Sequence, residues 1–270
     1  MWDKAKEAAN YLRESGFQEC EIAIVLGSGL GGLVNRIQIK ASVSYDLIPH
    51  FSISTVEGHD GLLIYGYLSG KPVIAMQGRF HYYEGWSIQQ TVFPIRVMSF
   101  LGVKTLLVSN ASGGVNTHFQ VGDIMLIEDH INFMPEHPLR GVNDTRFGPR
   151  FVDMHEPYDR DLIQQAKQVF KSLNIPFQSG LYLALQGPTF ETPAEYNMVK
   201  NMGADAVGMS TVPEVIVAKH MGMRCFGTSV ITDLGGPNHI AQVSHEEVQL
   251  VAKKAGNLLA RFVESFVIVI

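Results

Sequence analysis

Residues 22–32, IAIVLGSGLGG, place a continuous apolar run directly before a glycine-rich turn. An apolar, β-branched run of this kind predicts a strand that is covered on both faces. Further runs of strand length follow along the chain, at residues 62–67, 73–76, 105–109, 123–128, 181–185, 205–207 and 225–231. The chain is therefore expected to build a sheet in which several strands are fully buried.

Helical patterns alternate with these runs, at residues 3–14, 87–101, 160–173, 193–202, 213–221 and 244–265. The alternation predicts an α/β fold with a mixed, mostly parallel central sheet flanked by helices. No linker or internal repeat interrupts it, so we expect a single domain over residues 1–270. Pro, Gly, Asn, Asp and Arg together dominate residues 135–157, which predicts a long ordered loop of functional importance.

Charge and composition argue for a small-molecule ligand. The net charge is −5, whereas a protein that holds nucleic acid through its phosphates usually has a basic excess. Cys20 and Cys225 lie far apart in apolar stretches, which predicts buried free thiols and a reducing compartment. No apolar run approaches the roughly 20 residues that span a bilayer. We expect a soluble, cytoplasmic protein.

The glycine-rich turn allows three interpretations. Gly27, Gly29 and Gly32 match the G-x-G-x-x-G spacing of dinucleotide-binding folds, but Asp46 is poorly placed to contact a ribose. A plain tight turn is the structural alternative. The third is an anion-binding nest, in which consecutive backbone N–H groups and the Ser28 hydroxyl hold a phosphate.

Polar residues follow several other predicted strands. In QGRFHYYEG, residues 77–85, Arg79 and His81 are spaced to face the same side of an extended segment, and an Arg fork matches phosphate oxygens. Gly, Ser, Thr and single acids also follow strands at residues 110–114, 186–192, 208–211 and 232–233. Loops beyond the carboxyl ends of strands are where α/β sheets bind ligands.

Several other chemistries have no support in the sequence. The chain contains no G-x-S-x-G elbow, H-E-x-x-H helix or G-K-[ST] phosphate loop. Its ten histidines lack ligand spacing, so no metal site is expected.

In combination, these motifs resemble the trimeric purine nucleoside phosphorylases, a group that also holds 5′-methylthioadenosine phosphorylase. The resemblance runs along nearly the whole chain and is most specific in GSGLG (27–31), QGRFH (77–81), NASGG (110–114), GPTFET (187–192) and GMSTVPEV (208–215). It implies a homotrimer that needs no cofactor and uses inorganic phosphate as co-substrate.

The resemblance also implies a role for each matching residue. The phosphate would be held by Ser28, Arg79, His81, Ser210 and the backbone N–H of Ala111. The nucleoside would be contacted by Tyr83 at a ribose hydroxyl, Met209 under the sugar, His245 at the 5′-hydroxyl, Phe190 and Val207 beside the purine, Glu191 and Asp233 on its polar edge, and Thr232. Phe151 would close the neighbouring subunit's site. His81, Glu191 and Asp233 are the expected catalytic residues.

The expected reaction is phosphorolysis of 6-oxopurine ribo- and deoxyribonucleosides, which releases the base and a sugar 1-phosphate. One position departs from the family pattern: Asp233 stands where the purine nucleoside enzymes usually have Asn and the methylthioadenosine enzymes have Asp. The segment 234–238, LGGPN, also differs. A methylthioadenosine phosphorylase or an enzyme that also accepts adenosine therefore stays open. A non-catalytic nucleoside- or phosphate-binding protein is the alternative from another class.

Overall fold

The computed structural model describes residues 1–27, 31–53, 60–236 and 244–270. Within these ranges the strands are β1 (Ile22–Leu26), β2 (Gln38–Ser44), β3 (Leu62–Leu68), β4 (Lys71–Gln77), β5 (Thr105–Gly114), β6 (Ile124–Asn132), β7 (Gln178–Ala184), β8 (Ala206–Gly208) and β9 (Arg224–Leu234). The helices are α1 (Trp2–Glu14), α2 (Ile88–Thr91), α3 (Phe93–Phe100), α4 (Arg160–Ser172), α5 (Pro193–Asn201), α6 (Val212–His220) and α7 (His245–Val269).

The described strands form one mixed sheet in the order β2-β3-β4-β1-β5-β8-β7-β6-β9. A further parallel pairing joins β5 to β9, so that β5, β8, β7, β6 and β9 close into a ring. The pairings of β1 with β4 and β5 are parallel, whereas β3 pairs antiparallel with β2 and β4. The single-domain α/β fold with a mixed sheet and flanking helices is confirmed, while its limits at residues 1 and 270 remain a prediction.

Packing explains why these elements form. Every residue of β1 is buried, as a continuous apolar run predicts for a strand covered on both faces. Helix α7 packs its aromatic face on β9, where the ring of Phe226 lies 4.8 Å from that of Phe266. On the same helix face, the Phe262 ring stacks on Phe170 of α4 at 3.9 Å. These contacts attach α4 and α7 to the ring of strands.

Three details differ from the sequence-based expectations. Strand β2 was not predicted, because most of its residues are exposed and it carries little apolar signal. The helix expected over residues 87–101 is divided at Val92. Pro94 lies in the first turn of α3 and has no N–H to continue the hydrogen bonds of α2.

The third difference concerns the polar residues that were expected after strands. Residues 110–114 lie inside β5, and Thr232 and Asp233 lie inside β9. Gly113 pairs with Asp233 across these two strands, so the long β5–β9 pairing carries both segments beyond the apolar runs. No helix among the described residues is long and apolar enough to cross a membrane.

Candidate active site

A cavity of about 330 Å³ lies where β5, β8 and β9 meet the loops that follow β4 and β7, a size typical of small-molecule sites. Most of the predicted site residues line it: Arg79, His81, Tyr83, Ala111, Phe190, Glu191, Val207, Met209, Ser210, Thr232, Asp233 and His245. The fold therefore gathers residues from six separate stretches of sequence around one space.

The two remaining predicted site residues are Ser28 and Phe151. Ser28 lies outside the described residues, as do Pro237 and Asn238 of the divergent segment. Phe151 is 90% exposed and borders a different surface depression, together with Arg150 and Ile216. Within this chain, Phe151 is thus a nearly bare aromatic ring away from the cavity.

Arg79 is the most deeply buried charged group of the cavity, at 1% exposure. Its guanidinium donates two hydrogen bonds to the Glu214 carboxylate, from Nε at 3.1 Å and from Nη2 at 3.2 Å. Nη1 donates to the Ser109 carbonyl at 2.7 Å and to the Ser210 hydroxyl at 3.3 Å. Glu214 therefore balances the charge of Arg79 and fixes the plane of its fork.

His81 is held by an acid three residues further on. Glu84 accepts from the His81 backbone N–H at 2.7 Å and lies 3.2 Å from Nδ1. The imidazole stacks on Tyr83 with ring centroids 4.7 Å apart. Burial lowers the pKa of His81, against the opposing effect of Glu84. Arg79, His81 and Ser210 are called the phosphate cluster below.

Ser210 is positioned by a strained turn. Thr211 has a positive φ of 72°, and the Val212 N–H donates to the Ser210 carbonyl at 2.8 Å, which is the geometry of a γ-turn. Asn110 holds this conformation, because its Nδ2 donates to the Thr211 hydroxyl at 2.8 Å. Backbone strain of this kind persists where surrounding contacts enforce it, often at functional sites.

A second polar group of the cavity consists of two acids, Glu191 and Asp233, called the carboxyl pair below. Burial raises the pKa of Glu191 to about 7, with a further contribution from the charge of Asp233. Burial also raises the pKa of Asp233. The Tyr196 hydroxyl donates to Asp233 Oδ2 at 2.9 Å and lies near enough to Glu191 to lower the pKa of that carboxyl against the effect of burial. A phenol thus lies beside both acids.

Apolar groups complete the cavity wall. Val207 is buried, whereas Phe190 is 39% exposed. Met209 lies against Gly187, where an added Cβ would come within 2.4 Å of the methionine sulfur and 3.1 Å of the Tyr83 ring. Only glycine leaves room for that approach, and Gly187 also has a positive φ of 66°.

The structure brings in three residues that were not predicted as part of the site. Glu214 is an acid among the apolar residues of the first two turns of α6 and is 5% exposed, a buried charge that requires a partner. Glu84 follows the predicted His81 within the same quoted motif. Tyr196 carried no comparable signal, since an aromatic residue on a helix usually belongs to the core.

Among the described residues, no cluster of three or more His, Cys, Asp and Glu side chains could hold a metal ion. The side chains of the cavity offer two kinds of interaction to a ligand. The phosphate cluster offers directed donors to an anion, and the carboxyl pair offers acceptors and a proton to a polar ligand edge.

Comparison with known proteins identifies relatives over almost the whole chain. Residues 21–268 match the family model described as the phosphorylase superfamily. The chain is 49% identical to purine nucleoside phosphorylase 1 of Bacillus subtilis, an alignment that covers 99% of this chain and 98% of that protein. It is 48% identical to the purine nucleoside phosphorylase of Bos taurus, with 97% of this chain and 93% of that protein covered.

Solved structures show the same similarity. A purine nucleoside phosphorylase of Schistosoma mansoni in complex with adenosine is 40% identical and superimposes with a TM-score of 0.93, covering 98% of this chain and 96% of that one. The enzyme of the same organism in complex with hypoxanthine gives a TM-score of 0.92 at 40% identity, with the same coverage. Isoform 2 of the Schistosoma mansoni enzyme, in complex with cytosine and ribose-1-phosphate, gives a TM-score of 0.93. That superposition covers 98% of this chain and 95% of that one.

Proposed function

The chain belongs to the phosphorylase superfamily, and we propose from this membership that it is a purine nucleoside phosphorylase. In this reaction a purine nucleoside and inorganic phosphate are converted into the free base and ribose 1-phosphate, or its deoxy form. Relatives named purine nucleoside phosphorylase at 48–49% identity over nearly the full length support this function.

One observation carries the proposal: the phosphate cluster and the carboxyl pair line the same cavity. Arg79 and Ser210 provide donors for an anion, and the conformation of each is held by buried contacts. Glu191 and Asp233 provide the polar edge that a purine requires, beside the apolar surface of Val207 and Phe190. A cavity for phosphate alone would need no carboxylates, because they repel an anion.

The reaction follows from this arrangement. Loss of the purine leaves positive charge on the sugar ring, as in other glycosyl transfers. A phosphate dianion held by the phosphate cluster stabilises that charge and bonds to the anomeric carbon as the bond to the base breaks. The electron pair of the broken bond moves onto the purine, where a proton from the carboxyl pair neutralises it. Phosphate is a co-substrate, and this scheme requires no cofactor or protein nucleophile.

Inosine and guanosine are the preferred substrates in this proposal. An ionised Glu191 accepts from the N1–H of a 6-oxopurine, whereas it repels the bare N1 of adenine. His245, at the start of α7 beside the cavity, suits a 5′-hydroxyl, which 5′-methylthioadenosine lacks. Asp233 is the one site residue that favours an adenine nucleoside.

We further propose that the enzyme is a homotrimer, in which Phe151 of one subunit closes over the ribose bound by its neighbour. The 90% exposure of this ring supports an intersubunit contact, because large apolar side chains are costly to leave in water. A cytoplasmic location is proposed from the two cysteines, which are buried and unpaired.

The test is to incubate the pure protein with inosine and to follow free hypoxanthine by chromatography, with and without phosphate. We expect hypoxanthine and ribose 1-phosphate only when phosphate is present. Release of hypoxanthine at the same rate without phosphate would indicate a hydrolase. Tight binding of inosine with no release would indicate the non-catalytic alternative.

A further inference from the structure

The carboxyl pair presents contradictory preferences if both acids are ionised. Resting on the proposed function, we propose that Tyr196 makes Glu191 and Asp233 share a single proton, so that one cavity binds both 6-oxopurines and 6-aminopurines. Tyr196 is a positioning residue in this proposal, and it acts by deciding which of the two carboxyls is charged.

Local structure places Tyr196 between the two acids. Glu191 directly precedes Thr192, which caps α5, and Tyr196 is the fourth residue of that helix. These two positions lie side by side at a helix N-terminus, where apolar residues often form a staple. Both side chains line the cavity, and the Tyr196 hydroxyl donates to Asp233 Oδ2 at 2.9 Å.

The surrounding backbone is shaped around the phenol ring. A Cβ at Gly235 would come within 2.2 Å of the ring, and one at Gly113 would come within 3.0 Å of the Tyr196 hydroxyl. Tyr196 is buried and packs in a small apolar cluster with Val199 and Val207. Its hydroxyl therefore has little freedom to turn away from the carboxyl pair.

The limited number of hydroxyl hydrogens couples the protonation states of the two acids. A phenol carries one hydrogen, so Tyr196 donates to only one carboxylate at a time. The Thr232 hydroxyl is equally limited, because its one hydrogen lies within reach of both Asp233 Oδ1 at 3.0 Å and the Ser112 carbonyl at 3.2 Å. When Asp233 is ionised, both hydroxyls donate to it. When it is neutral, Tyr196 turns to Glu191.

A proton moves between the acids without change in the total. Glu191 gives its proton to the Tyr196 oxygen while Tyr196 gives its own hydrogen to Asp233, and the reverse transfer restores the first state. Burial raises the pKa of both carboxyls, which supports the presence of one proton on the pair near neutral pH. The hydrogen bond from Tyr196 opposes this increase at Asp233.

Each purine class matches one position of the proton. A 6-oxopurine presents N1–H as a donor and O6 and N7 as acceptors, which suits an ionised Glu191 and a protonated Asp233. A 6-aminopurine presents a bare N1 and an amino donor, which suits a protonated Glu191 and an ionised Asp233. Both arrangements contain one proton, so neither base requires the pair to gain or lose one.

The two classes differ in turnover. With a 6-oxopurine, the protonated Asp233 is available to donate to N7 as the base departs. With a 6-aminopurine, Asp233 is the acceptor and provides no such proton. Adenosine is therefore expected to bind comparably to inosine but to react more slowly, which is consistent with a catalytic preference for inosine and guanosine.

The first test uses the unmodified protein and measures the dissociation constants of free hypoxanthine and free adenine by calorimetry between pH 5 and 9. Because both bases select the pair with one proton, both should bind most tightly at the same pH. Opposite trends, with adenine favoured by acid and hypoxanthine by alkali, would mean that Glu191 titrates alone and would overturn the proposal. An adenine affinity more than a hundredfold weaker than the hypoxanthine affinity at every pH would also overturn the proposal.

The second test removes only the phenol hydroxyl, in Tyr196→Phe. Each ionised carboxylate then loses a donor, Asp233 with adenine and Glu191 with hypoxanthine, so both affinities should fall by about tenfold, as expected for a hydrogen bond to a charged group. In addition, kcat/KM for inosine should be measured against pH. The alkaline limb of that profile should move to higher pH, because the lost bond had lowered the pKa of Asp233. A merely structural tyrosine would lower both affinities without moving that limb.

Tyr158→Phe is the matched control. This buried tyrosine bonds to His130 at 3.2 Å and does not line the cavity. In an Asp233→Asn background, Tyr196→Phe should leave the alkaline limb unmoved, since no carboxyl remains at position 233 to titrate. A limb that moves equally in both backgrounds, or equally in the Tyr158 control, would refute the coupling. If Tyr196→Phe fails to fold, the pH test on the unmodified protein decides.

Failure of this proposal is distinguishable from failure of the proposed function. Base binding is measured without turnover, so a catalytically inactive chain still reports on the carboxyl pair. Conversely, phosphate-dependent release of hypoxanthine together with opposite pH trends would retain the phosphorylase and remove only the shared proton.

Discussion

The phosphate cluster and the carboxyl pair solve the problem of burying charge in different ways. Arg79 is paired with Glu214 through two hydrogen bonds, so its charge is permanent and its direction fixed. Asp233 accepts from the uncharged hydroxyls of Tyr196 and Thr232, so burial raises the pKa of both Asp233 and Glu191 instead. The difference matches the ligands proposed for each group: phosphate is always an anion, whereas the departing purine exchanges a proton.

The largest effect is expected when the ion pair between Arg79 and Glu214 is broken. In Arg79→Ala, kcat/KM for phosphate should fall by about a hundredfold, since bonds to a charged group are lost. The free energy of unfolding should fall by about 3–5 kcal/mol, because Glu214 is left buried without its partner. Phosphate-dependent kinetics and urea denaturation measure the two effects separately.

The double variant Arg79→Ala/Glu214→Ala is the control for this prediction. It should regain much of the stability but none of the phosphate affinity, because it removes the unpaired charge without restoring the donor fork. Unchanged phosphate dependence in Arg79→Ala, with a collapse of nucleoside affinity, would show that the cluster is wrongly assigned.

A somewhat smaller effect is expected from a substitution in the carboxyl pair. Glu191→Gln removes the acceptor for the N1–H of a 6-oxopurine, so kcat/KM for inosine should fall by about thirtyfold. The glutamine N–H suits the N1 of adenine, so adenosine should lose much less. The KM for phosphate serves as the internal control, because the phosphate cluster is untouched. An equal loss for both nucleosides would contradict the assigned role.

The pH dependence of stability tests the same contrast without any ligand. The pKa of Glu191 is about 7 in the folded chain but roughly 4.3 in an unfolded one. The folded state therefore holds the proton more tightly, and its stabilising effect is lost as the pH rises through 7. Raising the pH from 5 to 8 should lower the free energy of unfolding by about 2–3 kcal/mol through this group.

Urea denaturation at the two pH values, compared between the natural chain and Glu191→Gln, isolates that contribution. The variant should show a smaller decrease between pH 5 and 8, since glutamine does not titrate. The same pH slope in both proteins would show that Glu191 is not the responsible group.

The smallest effect concerns whether Phe151 of a neighbouring chain closes over the ribose that lies between the phosphate cluster and the carboxyl pair. Phe151→Ala should reduce kcat/KM for inosine by about tenfold, the value of an aromatic contact with the ribose. Light scattering should give a mass near three times 29.9 kDa. Unfolding and refolding Phe151→Ala together with Arg79→Ala chains should partly restore activity, because some mixed sites gain both residues. A fully active monomer would contradict the intersubunit role.

Part of the cavity lining could be predicted because residue types are informative in their local stretches, whereas the resemblance alone suggested Tyr83, Val207, Met209 and His245. Arg79 and His81 follow an apolar strand at a spacing that faces one side, and Glu191 and Asp233 lie in short polar segments. The apolar runs likewise predicted every described strand except β2, whose residues are mostly exposed. Chain-local patterns are sufficient wherever burial itself imposes the pattern.

Partners could not be predicted in the same way. Glu214 lies 135 positions from Arg79, and Asp233 lies 37 from Tyr196, so no local spacing relates them. The sequence also predicted a loop at Asp233, whereas β9 pairs with β5 along its length and includes this residue.

By itself, the sequence determined the α/β class, the buried strands and the kinds of functional group available, since periodicity and residue chemistry are properties of short stretches. Only the tertiary structure decided which groups meet. The β5–β9 pairing and the packing of α5 and α6 bring the Tyr196 hydroxyl to Asp233 and the Glu214 carboxylate to Arg79. At the carboxyl pair, burial raises the pKa of both acids, and burial is a property of the tertiary structure and not of the residue alone.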